Sequence, residues 1–158
     1  MSSLLAKLWK ALHLPKNLQL MLMRVFQDQF LVGVTGVIFN DKHEVLLFKH
    51  SYRAVSWGLP GGYIKAKEHP KEGLEREVKE ETGLVISADT RYNIRTDRET
   101  ARLDIVYIGA FIGGTFTPST EVVNAKFFTF ENLPIIREKD LLLIQKILSL
   151  RTPSSHDG

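Results

Sequence analysis

Residues 62–84 read GYIKAKEHPKEGLEREVKEETGL, and this stretch decides the fold. Its second half predicts a helix over Pro70–Thr82, because proline fits a first helical turn and Gly83 is a typical stop signal. Leu74 and Val78 lie one turn apart on this helix, so they form an apolar stripe that can pack on a sheet.

The same helix carries an unusual group of acids. Glu77, Glu80 and Glu81 are spaced i, i+3 and i+4, which places three carboxylates on one face. They repel one another, and two of them stand in the last turn, where the negative end of the helix dipole disfavours acids. A bound divalent cation would compensate for this charge, since oxygen ligands of this kind suit such ions. For the helix considered alone, a solvated acidic face is the alternative.

The spacing around the helix decides between these alternatives. Gly62 is followed after five residues by Glu68 and, after seven more, by Arg76. The pattern continues through Glu77, Val78, Glu80, Glu81, Gly83 and Leu84. Every position fits the Nudix box, GX5EX7REUXEEXGU, where U is a bulky apolar residue. The sequence therefore resembles the Nudix hydrolase family, and the similarity extends more loosely over residues 31–133.

The resemblance implies a Nudix-type α/β/α sandwich with a mixed sheet, in which the box forms a loop, a helix and a loop. It also implies hydrolysis of a pyrophosphate bond in a nucleoside diphosphate derivative, with Mg²⁺ or Mn²⁺ as the cofactor. The chemistry is consistent with the residues, because a diphosphate is anionic and a carboxylate-held cation masks its charge and can polarise the attacking water.

Carried over to this sequence, the resemblance assigns metal binding to four glutamates, with Glu77 and Glu81 as the principal ligands. Glu80 is a further ligand or the base that acts on water, and Glu68 either joins the metal or anchors the loop. Arg76 is expected to orient the glutamates by pairing with a neighbouring carboxylate.

Three glycines are expected to shape the site. Gly61 and Gly62 allow a tight backbone path where a side chain would obstruct, and Gly83 closes the helix.

A general base could also lie outside the helix, because family members often use an acid on a later loop. Glu121, in the segment PSTEVV before the last core strand, has a suitable place. Asp104, on the predicted strand LDIVY, is a weaker alternative.

Basic residues near the entrance are expected to bind substrate phosphates, for which arginine is well suited. Three of them precede the loop WGLPGG: Lys49, His50 and Arg53. Arg95 is a fourth, and alternation along a strand would place it on the same face as Arg91. Ordinary solvated surface charge is the alternative for all of these residues.

The rest of the chain predicts a sheet and a closing helix. Strands are expected at residues 31–39, 44–48, 85–98, 102–113 and 125–130, with a turn at Asn40–Asp41 and a helix over residues 138–148. We therefore expect an amphipathic helical extension over residues 1–30, a Nudix hydrolase domain over 31–150 and a flexible tail over 151–158.

Composition excludes several classes of site. The chain has 158 residues, no cysteine and a formal net charge of +3. The lack of cysteine excludes disulfides, iron–sulfur clusters, thiolate zinc sites and cysteine nucleophiles, and it fits the expected cytoplasmic location. A charge of +3 is too small to indicate a dedicated nucleic-acid binder.

The positive charge has a definite place. Residues 1–30 carry Lys7, Lys10, Lys16 and Arg24 against Asp28, which accounts for the whole excess. This segment predicts a helix over residues 3–13 and, after Pro15, a second over 16–27. Its apolar faces could form a homodimer interface, whereas no segment of the sequence is long enough to cross a membrane.

The substrate is left open by the sequence. The nucleoside triphosphate, nucleotide sugar and ADP-ribose-like classes all remain possible. The mark of the ADP-ribose group, a proline about fifteen residues after the box, is replaced here by Glu99 and Thr100. The marks of the NADH and coenzyme A groups are absent too. The alternatives are an RNA 5′-pyrophosphohydrolase and, from another class, a non-catalytic nucleotide sensor.

Overall fold

A computed structural model describes residues 15–97 and 100–151. The chain divides between Phe30 and Leu31 into two compact units, which are described separately. The first unit contains helix α1 (Lys16–Phe26), which follows Pro15 as the sequence predicts. The helix predicted over residues 3–13 lies outside the described residues. Among the residues described, no helix is long and apolar enough to cross a membrane.

The second unit is built on one seven-stranded sheet. Its strands are β1 (Leu31–Phe39), β2 (Val45–His50), β3 (Trp57–Gly58), β4 (Gly61–Tyr63), β5 (Leu84–Asp97), β6 (Arg102–Gly114) and β7 (Val122–Phe128). The central order is β3-β2-β1-β6-β5, while β4 pairs with β1 and β7 pairs with β2. Strands β1 and β6 run parallel and all other pairs are antiparallel, so the sheet is mixed, as predicted.

Two helices cover the sheet, one on each face. On one face, α2 (Pro70–Thr82) buries Leu74 and Val78 against apolar residues of β1, β2 and β5. On the other face, α3 (Glu138–Arg151) packs three buried residues, Leu143, Ile144 and Ile147, against Val37, Leu47 and Val106. A short 3-10 helix, Phe130–Asn132, precedes α3. The predicted α/β/α sandwich is confirmed.

Helix α2 has the bounds that the sequence predicts. At its start, the Glu72 carboxylate accepts a hydrogen bond from the His69 N–H at 3.2 Å, and His69 Nδ1 accepts one from the Lys71 N–H at 3.3 Å. At its end, Gly83 adopts a left-handed conformation with φ of 73°. Reciprocal capping and a glycine stop therefore fix both ends of the helix that carries the acids.

Two short strands, β3 and β4, were not predicted, because they lie at the segment WGLPGG, which was expected to be a loop. The remaining elements differ from the predictions at their ends. Strand β2 runs to His50 rather than to Phe48, because it pairs with β7 as far as the His50–Val122 pair. The same pairing begins β7 at Val122 instead of Ala125. Helix α3 continues past Leu148 to Arg151, and the remainder of the predicted tail lies outside the described residues.

The expectation that Arg91 and Arg95 share a face is wrong. Arg91 lies opposite Tyr107 on β6, whereas Arg95 lies opposite Asp104. Tyr107 and Asp104 are an odd number of residues apart, so they point to opposite faces of the sheet. The cause is a bulge in β5 between Arg91 and Asn93, which reverses the alternation.

Candidate active site

The acids of α2 meet one arginine of the same helix. Arg76 Nη1 donates to Glu77 Oε1 and to Glu80 Oε2, both at 2.9 Å. Its Nε and Nη2 donate to the two carboxylate oxygens of Glu68 at 2.6 and 3.0 Å. Its Nη2 also donates to the Tyr63 carbonyl at 3.2 Å. Arg76 thus joins three acids and the preceding loop, in the orienting position that the sequence predicts.

These bonds give Glu68 a structural place. Besides both bonds from Arg76, its Oε2 accepts one from the Lys65 N–H at 3.0 Å. The Arg76 hydrogen bonds, with a smaller contribution from the Lys65 N–H, lower the pKa of Glu68 to about 2. A carboxylate engaged on both oxygens is a poor candidate for metal binding, so the arrangement favours the anchoring interpretation.

Glu80 lies at the exposed edge of the cluster. Its carboxylate accepts hydrogen bonds from Arg76 and from Lys65 Nζ, the latter at 3.4 Å. The Arg76 hydrogen bond is the main cause of its lowered pKa. Glu80 is therefore an ionised carboxylate that two cations already hold.

The Glu81 carboxylate, in contrast to that of Glu80, is partly buried. Its Oε2 is buried and has no hydrogen-bond partner among the described residues. Burial, together with the charges of Glu77 and Glu121 and against an opposing effect of Arg53, raises the pKa of this carboxyl to about 7. An unpartnered buried oxygen beside two other acids marks a place where negative charge is uncompensated.

The glycines leave room for this arrangement. A Cβ at Gly62 would stand 2.5 Å from the Glu77 carboxyl carbon, and one at Gly61 would overlap the Val34 carbonyl. A Cβ at Gly83 would come within 2.7 Å of the Thr115 carbonyl. All three positions thus require glycine for close approach, and Gly62 does so directly against a proposed metal ligand.

Glu121 is brought to the α2 acids by a tied loop. The Ser51 N–H donates to the Glu121 carbonyl at 3.0 Å, and Ser51 Oγ donates to the Thr120 carbonyl at 2.8 Å. The negative charge of Glu121 contributes to the raised pKa of Glu81, so the two carboxylates interact electrostatically. The sequence places Glu121 on a suitable loop, and the strand pairing of β2 with β7 explains its approach.

The four residues predicted to bind phosphate differ in their exposure and surroundings. Lys49 is exposed on β2. His50 is only 3% exposed, and burial, together with Arg53 and Arg137, lowers its pKa to about 4. An uncharged, buried imidazole does not supply the positive charge expected of it. Arg53 and Arg95 both line a cavity of about 600 Å³.

Asp104, the weaker alternative for the base, is held as a structural anion. Arg95 Nη2 donates to its Oδ2 at 2.6 Å, Thr35 Oγ1 to the same oxygen at 2.8 Å, and Arg102 Nη2 to its Oδ1 at 3.1 Å. Burial raises the pKa of this carboxyl, but the Arg95 and Thr35 hydrogen bonds outweigh it and the net shift is downward.

Two arginines of the site were missed by the sequence analysis. Arg102 was not predicted as a site residue. It lies two residues before Asp104 on one strand, so the two side chains share a face, and this spacing could have identified it. Arg137, the residue before α3, pairs at 2.8 Å with the buried Asp140 in the first turn of that helix. Their i, i+3 spacing was a weaker signal, because it is common on exposed helices.

The donor set fits a hard divalent cation. Glu77 and Glu81 are carboxylates on one face of α2, and the buried Glu81 Oε2 has no hydrogen-bond partner among the described residues. Across residues 15–97 and 100–151, no group of three or more acidic or histidine side chains is arranged to hold a metal ion. Mg²⁺ does not require such a group, since it commonly takes one or two carboxylates and keeps waters and phosphate oxygens.

Comparison with known proteins finds similarity to one family. The profile of the NUDIX domain matches residues 29–148. The ADP-ribose pyrophosphatase of Methanocaldococcus jannaschii is 33% identical over 109 residues, which cover 65% of this chain and 64% of that protein. The human 8-oxo-dGDP phosphatase is 30% identical over 131 residues, covering 78% of this chain and 40% of that protein. The chain thus spans less than two thirds of the length of these two relatives.

Solved structures show the same fold. A Nudix hydrolase from Nitrosomonas europaea aligns with a TM-score of 0.70 at 19% identity, over 79% of this chain and 74% of that one. An ADP-ribose pyrophosphatase from Streptococcus suis aligns with a TM-score of 0.64 at 25% identity, over 82% of this chain and 97% of that one.

Proposed function

Because the chain belongs to the Nudix hydrolase family, we propose that it hydrolyses the pyrophosphate bond of a nucleoside diphosphate derivative with Mg²⁺ or Mn²⁺. The observation that carries the proposal is the buried Glu81 Oε2, which has no hydrogen-bond partner among the described residues and stands among other acids. A buried carboxylate without a partner is costly to the fold, and a bound divalent cation would compensate for that cost.

Glu77 and Glu81 would hold the cation. When bound, the ion masks the charge of the diphosphate and polarises an attacking water. The role of Arg76 is to fix the direction of Glu77 and Glu80 through its hydrogen bonds. The role of Gly62 is to let the Glu77 carboxylate lie against the backbone of β4.

Glu121 is the better supported of the two predicted bases. Glu80 already accepts hydrogen bonds from Arg76 and Lys65, and the Arg76 bond lowers its pKa, which makes it a weaker base towards water. Glu121 lies close enough to Glu81 for the two charges to interact, and its loop is tied to β2 through Ser51. Glu121 would take the proton of the attacking water.

Arg53 would receive the phosphates. It acts electrostatically on Glu81, and it also lines the neighbouring cavity. Arginine can contact two phosphate oxygens at once, so its position favours a diphosphate lying beside the acids.

The substrate class rests on the relatives. Proteins named ADP-ribose pyrophosphatase and 8-oxo-dGDP phosphatase both act on nucleoside diphosphates or their derivatives, in keeping with the classes that the sequence leaves open. RNA 5′ ends remain an alternative. A sensor without turnover is disfavoured because none of the acids of the box is replaced.

A substrate panel tests the proposal. Nucleoside triphosphates, nucleotide sugars, ADP-ribose, dinucleotides and 5′-triphosphorylated RNA are incubated with Mg²⁺ or Mn²⁺, and released phosphate, pyrophosphate and nucleotide are measured. Glu81→Gln should abolish most of the metal-dependent turnover, while Glu131→Gln, an exposed charge loss outside the site, should not. Absence of turnover across the whole panel would refute the proposal.

A further inference from the structure

A cavity of about 600 Å³ lies beside the acids and is larger than a diphosphate needs. It is formed by residues of β1, β5 and β6 together with the start of α3. We call it the basic cavity, after its cationic lining residues Arg53, Arg95, Arg102, Arg137 and Lys139.

The basic cavity borders the proposed active site. Gly61 lines it on one face of β4, and the next residue, Gly62, faces the Glu77 carboxylate on the other, so this short strand lies between the two. Arg53 lines it too and acts on the charge of Glu81. A substrate whose diphosphate lies at the acids can therefore extend into this cavity.

The lining has a strong charge bias. Five cationic side chains face two carboxylates of the lining, Asp97 and Asp104, and a third acid, the buried Asp140, pairs with Arg137. Apolar atoms supply about as much of the lining as polar atoms do, and they include Leu31, Leu59 and the ring of Tyr63. A neutral sugar or an uncharged base does not need such a surplus of positive charge, whereas an additional oxyanion does.

Two of the arginines are held in fixed positions. Asp104 is 8% exposed and accepts hydrogen bonds from both Arg95 and Arg102. The Arg102 guanidinium carbon also lies 4.8 Å from the centroid of the Tyr63 ring. A Cβ at Gly33 would overlap this guanidinium, so glycine at that position leaves the space it occupies. Asp97, which lies opposite Arg102 in the β5–β6 pair, is a second carboxylate near these groups, so the surplus positive charge of the lining comes from Arg53 and Lys139.

We propose that the basic cavity binds a phosphate monoester group of the substrate, separate from the diphosphate that is cleaved. This inference rests on the proposed function. Fixed guanidinium groups recognise phosphate through paired hydrogen bonds, and little conformational entropy is lost when they are already held. A phosphate dianion also matches the surplus charge better than a single carboxylate. Substrates with this additional phosphate are then preferred over otherwise identical ones without it.

Two ligand pairs that differ by one phosphomonoester test this inference. The first pair is ADP-ribose and its 2′-phosphorylated derivative. The second pair is dephospho-coenzyme A and coenzyme A. Binding to the metal-free protein in EDTA is measured by isothermal titration calorimetry. In at least one pair, the phosphorylated member should bind the wild type tenfold or more tightly, and Arg102→Gln should reduce that ratio to below about twofold.

The control is Lys146→Gln, which removes an exposed charge from α3 outside the cavity and should keep the wild-type ratio. Equal binding within both pairs by the wild type would overturn the inference, as would a ratio that Arg102→Gln leaves unchanged. Turnover of the same compounds with Mg²⁺ separates the two claims. Hydrolysis without phosphate preference leaves the proposed function standing, and phosphate preference without hydrolysis of any compound leaves the cavity assignment standing.

Discussion

Arg76 donates hydrogen bonds to both carboxylate oxygens of Glu68, from Nε at 2.6 Å and from Nη2 at 3.0 Å. This paired contact ties the loop before α2 to the helix itself. The same guanidinium holds Glu77 and Glu80 through Nη1. The position of Glu77, a proposed metal ligand, therefore depends on the contact between Arg76 and Glu68.

Replacing this arginine by lysine should weaken metal binding. Arg76→Lys keeps the charge but loses the planar fork that contacts Glu68 twice. We expect a loss of about 10- to 100-fold in Mn²⁺ affinity, the usual scale for residues that orient metal ligands. Isothermal titration calorimetry measures it, with Lys79→Gln on the same helix as the control. Wild-type affinity in Arg76→Lys would show that the fork is not needed.

A methyl group at Gly62 should act in the same direction. Its Cβ would stand 2.5 Å from the Glu77 carboxyl carbon, so Gly62→Ala must displace that side chain. We expect Mn²⁺ affinity to fall at least about tenfold while the circular dichroism spectrum stays that of the wild type. In Gly58→Ala the new Cβ meets nothing nearer than 3.4 Å, so this control should bind Mn²⁺ nearly as well as the wild type.

Without metal, the Glu81 carboxylate should destabilise the fold. Glu81→Gln removes a buried charge that faces Glu77 and Glu121, and the new amide can donate to either acid. We expect the free energy of unfolding in EDTA to rise by about 1 kcal/mol. The stabilisation that Mg²⁺ gives to the wild type should be lost at the same time. Urea unfolding measures both quantities, and a Glu81→Gln protein less stable than metal-free wild type would argue against this account.

His50 should make the fold sensitive to acid. Its pKa is lowered from 6.5 to about 4 in the folded protein, so the unfolded chain binds the proton more readily between these values. Stability contributed by the neutral imidazole is therefore complete above pH 6.5 and is lost as the pH falls towards 4. Between pH 7 and 4.5, the free energy of unfolding of His50→Leu should therefore fall by about 2 to 3 kcal/mol less than that of the wild type. An unchanged pH dependence in urea titrations would contradict this.

The sequence predicts best where local signals are complete. Helix α2 has its predicted bounds because Pro70 and Gly83 both act within the chain segment that they terminate. Strand β1 likewise matches, since a continuous apolar run suits a strand that is buried on both faces. The meeting of Arg76 with the acids follows from helical spacing, so it too could be anticipated.

Features that depend on pairing between distant strands could not be predicted. The bulge in β5 that separates Arg91 from Arg95 depends on the register against β6. The burial of His50 depends on β7 pairing with β2. Similarly, Arg102 becomes part of a cavity only because Asp104 and Arg95 face each other across the β5–β6 pair.

Mn²⁺ binding to the full chain tests most directly whether the acids around Glu81 hold a divalent cation. Free Mn²⁺ is measured by electron paramagnetic resonance during titration of the wild type, Glu81→Gln and Glu131→Gln after removal of metal by a chelator. We predict binding by the wild type and Glu131→Gln, and a loss of at least about tenfold in affinity in a folded Glu81→Gln protein. Equal Mn²⁺ affinity in all three proteins would contradict the account.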